Sequence, residues 1–133
     1  MTTVVLLLSI VLSCTNDSLP PQSLIQENIK KSNAILKAHI ISSEMPKGQF
    51  AATTIKVDKV LRGRLHSGAT LTYYSFKEQN SYPKEWLSQG IIVFLAAKKD
   101  RAGKVQWGTA TDISEFGYSE QLEKQIVRLQ RVK

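Results

Sequence analysis

The chain has one cysteine in 133 residues, Cys14, so no disulfide can form within it. Its fold must rest on a hydrophobic core, which a chain of this length can supply. Histidine is nearly as scarce, with His39 and His66 on separate elements, too few and too scattered to suggest a ligand set for a metal. Compact catalytic signatures are missing: no Gly-x-Ser-x-Gly elbow, no His-Glu-x-x-His helix, no phosphate-binding loop. Internal repeats and low-complexity tracts are also absent. These absences predict a protein that is not an enzyme, with no cofactor, no metal and no evident small-molecule substrate. The longest apolar run, residues 4–12, falls short of the roughly 20 residues that a membrane-spanning helix needs.

That short run is itself informative. The first 13 residues carry no charge, and Val11-Leu12-Ser13-Cys14 ends them abruptly, followed by polar residues and Pro20-Pro21. The pattern resembles a bacterial lipobox, in which a small residue precedes a cysteine that receives diacylglycerol. A lone thiol gains nothing structural in an oxidising compartment, so its position favours modification. We expect residues 1–13 to be a signal peptide, 14–22 a tether lipidated at Cys14, and 23–133 a single domain. Thr15, standing where aspartate would signal inner-membrane retention, places the protein by analogy at the outer membrane, facing the periplasm.

In the mature part, Ser23 with Gln26 three positions on reads as a capping box, and Leu24, Ile25 and Ile29 as the apolar face of a helix over residues 23–33. Alternation then predicts strands over 34–43, with Leu36, Ala38 and Ile40 on one face, and over 50–57, with Ile55 and Val57 inward. Val60-Leu61 interrupt the alternation as a bulge does. A third strand covers 69–76; residues 77–89 show no periodicity and read as an irregular stretch. Residues 91–97, apolar on both faces, are the best central strand, and 105–109 a fifth. Ser119 precedes a last helix with Leu122, Ile126, Leu129 and Val132 in one stripe.

Five short strands and two flanking helices predict a mainly β fold, a small five-stranded OB-like Greek-key barrel with an N-terminal and a C-terminal helix; an α+β open sheet is the alternative. Three segments strengthen the barrel reading: Thr54-Ile55-Lys56-Val57-Asp58-Lys59-Val60-Leu61-Arg62-Gly63, Gly68-Ala69-Thr70-Leu71 and Gly90-Ile91-Ile92-Val93-Phe94-Leu95. In order and spacing they resemble the β-core of the superfamily of tissue inhibitors of metalloproteinases and netrin modules. The resemblance covers roughly residues 34–97 and implies an OB-type barrel. Family members are typically laced by disulfides, and this chain has none to make. The animal inhibitors chelate zinc through a free N-terminal cysteine, which acylation of Cys14 would block, so protease inhibition does not carry over.

Charge and aromatics point to a partner. Lys and Arg number 18 against 11 Asp and Glu, a net charge of +7 that attracts polyanions. Arg62 and Arg64 stand in a loop, and Tyr73, Tyr74, Phe76, Tyr82 and Trp86 follow around the third strand and the irregular stretch. OB barrels bind ligands on their second and third strands. The candidate surface for a ligand or partner is therefore Arg62, Arg64, Tyr74, Tyr82 and Trp86. Asp112 and Glu115, before the last helix, read as residues that bond loop amides. The expected function is a non-catalytic lipoprotein of the bacterial cell envelope, a binding module for a protein or an anionic envelope component. The alternative is a cytoplasmic single-stranded nucleic-acid binder.

Overall fold

The computed structural model describes residues 19–47, 50–76 and 81–131. In chain order its elements are α1 (Gln22–Lys31), β1 (Ala34–Lys47), β2 (Phe50–Arg62), β3 (Thr70–Phe76), α2 (Lys84–Gln89), β4 (Ile91–Lys99), β5 (Val105–Thr109), β6 (Glu115–Gly117) and α3 (Glu120–Arg131). The proposed leader, Cys14 and Val132 lie outside the described residues.

Alternating side chains drive the long strands together. β1 and β2 form an antiparallel hairpin, and β2 continues the ladder to β3. β3 then pairs in parallel with β5, among the described residues through Tyr73–Trp107 and Tyr74–Gly108. β5 is antiparallel to β4, which closes the barrel on β1 through Ala34–Leu95 to Ala38–Ile91. The open sheet is thus excluded, because both edges of the five strands meet. Register slips beside Leu61 and Asp58 provide the bulges that bend β2, one of them where Val60-Leu61 break the alternation.

β4 is apolar on both faces because it lines two cores. Inward, Val93 and Leu95 meet Leu36, Ala38, Ile55, Val57 and Tyr73 inside the barrel. Outward, Ile92 and Phe94 join Ile35 beneath α1 and α3, which contribute Ile25, Ile29, Leu122 and Ile126. Gly90 starts the strand at φ 94°, where a Cβ would stand 2.9 Å from the Ala38 carbonyl oxygen, so only glycine fits this turn.

Local signals held unevenly. Ser119 caps α3 by accepting from the Leu122 N–H at 3.0 Å. The capping box at Ser23 does not form: α1 starts one residue earlier, with Pro21 at its N-cap and no side-chain cap. Residues 84–89, read as irregular, are α2, a helix too short to show a period. β6 is a further correction, a three-residue edge on β4 in a segment read as loop.

α3 is strapped to β2 by Lys59, whose ammonium bonds Glu123, while Tyr118 donates to the other Glu123 oxygen at 2.8 Å. Lys59 and the phenol hold the Glu123 carboxyl below its ordinary pKa, and the same bond pushes the Tyr118 phenol up to about 12. Glu123 therefore adds stability above its unfolded pKa and loses it as pH falls through the lower folded value. Tyr118 adds stability below its unfolded value, and that is lost as pH rises through about 12. Urea midpoints measured against pH should lose part of their acid-limb slope in Glu123→Gln; an unchanged slope would contradict the strap.

Candidate functional site

The two helices cover one side of the barrel, the outer face of β1 and β4 at Ile35, Ile92 and Phe94. Opposite them, the outer face of β2, β3 and β5 and the far half of β4 is bare, and register fixes what it displays. Ala52 pairs with Tyr74, Tyr74 with Gly108, and Gly108 with Ala96, which makes one row across four strands. Three of its four residues have small side chains or none. The next row pairs Phe50 with Phe76, their ring centroids 4.2 Å apart. On the other side lie Thr54 opposite Thr72, hydroxyls 2.8 Å apart, and Gln106 opposite Lys98.

The result is a trough of about 690 Å³ with a floor at Gly108 and Ala96, an aromatic wall, and a polar rim of Lys98, Gln106 and Asp112. Phe50 and Tyr74 are each 43% exposed and Phe76 69% exposed. Scattered apolar exposure is ordinary, but three adjacent aromatics on rigid strands form a patch of the kind that marks interaction sites.

At one end the trough meets a second, smaller cleft of about 290 Å³, and Ser75, Phe76, Thr109 and Asp112 border both. This is where β3 and β5 part after their two paired residues. Beside it lies a half-buried polar chain: Tyr73 and Tyr82 both donate to one Glu115 oxygen, the latter at 2.7 Å, and Tyr82 shares a 3.1 Å hydrogen bond with Thr53. Burial, and then the Glu115 charge, push the Tyr73 phenol well above its ordinary pKa, so it remains a neutral donor. Glu115 thus accepts from one phenol on β3 and one in the segment before α2. Among the described residues no three of His, Cys, Asp and Glu gather to hold a metal. His39 pairs with Asp58, and His66 is exposed on a loop.

The five sequence-predicted surface residues do not form one patch. Tyr74 is in the trough wall. Tyr82 belongs to the half-buried polar chain, and Trp86 on α2 lies over Gly117, where a Cβ would come within 2.5 Å of its indole nitrogen. These two rings are neighbours, centroids 6.1 Å apart. Arg62 stands at the other end of β2 from the trough, and Arg64 is exposed just beyond it. The Arg62 guanidinium donates to the Ile29 carbonyl at 2.5 Å, the Ser32 carbonyl at 3.5 Å and Gln130 Oε1 at 3.1 Å. It clamps the C-terminal end of α1 and the last turn of α3 to the barrel. Arg62→Ala should cost about 2 kcal/mol in denaturant unfolding while Arg64→Ala leaves the midpoint unchanged; equal midpoints for both would contradict the clamp.

Phe50, Phe76, Trp107 and Gly108 were missing from the predicted surface. Alternation around Tyr73 does signal Tyr74 and Phe76 as outward, and hairpin register brings Phe50 beside Phe76. The parallel contact that adds Trp107 and Gly108 leaves no local trace in the sequence. No protein-family model matches the chain, and a search of curated proteins finds no match either.

Proposed function

We propose that the protein is a non-catalytic binding module of the bacterial cell envelope, anchored by a lipid on Cys14 to the outer membrane and facing the periplasm. Its trough holds a segment of a protein or of an anionic envelope component. The observation that carries this reading is the bare aromatic trough on the side of the barrel that no helix covers. The address rests on the uncharged first 13 residues and the lone Cys14 that follows them. Membership of the netrin-like superfamily is part of the proposal. It is supported by the strand order β1-β2-β3-β5-β4 with closure on β1 and by terminal helices flanking the barrel.

Two measurements test it. Metabolic labelling with a palmitate analogue should mark the wild-type chain and spare Cys14→Ser; an unlabelled wild type removes the anchor. A pull-down from envelope extract should recover a partner with wild type and Arg64→Ala, and lose it with Tyr74→Ser/Phe76→Ser. Equal recovery by all three removes the trough as the binding site.

A second reading is favoured by the same face. Aromatics on β2 and β3 with Lys56 and Lys98 exposed nearby also suit stacked bases of a single-stranded nucleic acid. Titration of a labelled oligonucleotide at two salt concentrations separates the readings: salt-dependent micromolar affinity supports the nucleic acid, and no binding at low salt dismisses it.

A further inference from the structure

The trough changes character along its length. Beyond Gln106 and Lys98 the β4–β5 hairpin presents Lys98, Lys99, Arg101 and Lys104, all exposed. Its one acid is occupied locally: Asp100 Oδ1 accepts from the N–H groups of Ala102 and Lys104, each at 2.9 Å. Three lysines elsewhere do meet acids, Lys31 with Glu27, Lys59 with Glu123 and Lys124 with Glu120. Among the described residues the four hairpin cations meet none. An apolar, aromatic-walled channel therefore runs toward a cationic tip.

At the other end Ser75 lies on the inner face of β3 with Tyr73, paired with the buried Ala51, so the outer wall of the trough there is made by Tyr74 and Phe76.

We infer that the trough takes an extended acidic peptide segment of a protein partner. An apolar side chain sits over Gly108 and Ala96 against Tyr74 and Phe76, and Asp or Glu residues face Lys98 and Arg101. This deepens the binding-module reading and rests on it. A peptide fits this site better than a lipid surface, because the site is concave and its rim also carries Asp112, a charge that an anionic bilayer repels.

The test pans a random peptide library on the full-length protein in detergent micelles and titrates the enriched peptides by fluorescence anisotropy. An oligothymidylate and phosphatidylglycerol vesicles are parallel probes. The expected peptides pair an apolar residue with Asp or Glu and bind Phe76→Ser about tenfold more weakly. Lys98→Ala and Arg101→Ala should reduce the association rate and its salt dependence. Enriched peptides that lack acids but still need Phe76 would overturn the inference and leave the binding module standing. Binding of only the oligonucleotide or only the vesicles would overturn it too, as would peptide affinity unaffected by Phe76→Ser. The envelope pull-down then decides the broader reading on its own.

Discussion

Phe94→Asp is expected to yield no cooperatively folded protein. Phe94 is fully buried on the outer face of β4, edge-on to Phe116 with ring centroids 5.8 Å apart, under Ile25, Leu122 and Ile126. A carboxylate there has no cation within the cluster, and protonating it still leaves a polar group among hydrocarbon. The loss should be about 5 kcal/mol or more, on the order of the whole stability of a domain this size. Its neighbour Val93 points the other way into the barrel, so Val93→Asp should fail equally, though it strikes a different core. Circular dichroism and thermal melts of both variants check this. A soluble Phe94→Asp protein with a sharp melt would contradict the two-core arrangement.

Asn28→Ala should be the most damaging polar substitution. Asn28 is wholly buried, and its amide joins α1 to the loop before β6. Nδ2 donates to the Leu24 carbonyl at 3.1 Å and the Ile113 carbonyl at 2.8 Å. Oδ1 accepts from Thr111 Oγ1 at 2.9 Å and Ser114 Oγ at 2.7 Å. Truncation removes four bonds at once and leaves two helix or loop carbonyls less satisfied, at an expected cost of about 3 kcal/mol. Asn28→Asp keeps the shape but turns the donor into an acceptor facing two carbonyls, and should be at least as costly. Urea midpoints measure both. A change under about 1 kcal/mol in both variants would show that this network contributes little to docking α1.

The parts legible in the sequence are those set by local periodicity. Alternation placed Leu36 and Ala38, Ile55 and Val57 inside, and the double-sided apolar run 91–97 identified the strand that two cores share. Ser119 announced α3 because its cap is a contact between near neighbours. What the sequence hid depends on distant partners or on very short segments. α2 has six residues and β6 three, below the length at which a period shows. Arg62 reads as a surface cation, yet its partners Ile29, Ser32 and Gln130 come from both terminal helices. Tyr82 reads as a loop aromatic and is one, and its bond to Glu115, 33 residues on, leaves no local trace. The trough itself exists only because β3 lies beside β5 in parallel, a contact between strands that β4 separates in the chain. Tyr74 alone of the five predicted surface residues lies in its wall.

The most direct measurement of the trough's role is photo-crosslinking in the living cell, with benzoylphenylalanine placed at Gln106 in the rim or at Lys124 on the exposed side of α3. Position 106 should give a discrete adduct that disappears when Tyr74→Ser and Phe76→Ser are added, and position 124 should give none. No adduct at 106, or the same adduct from both positions, would contradict the assignment of the trough as the binding surface.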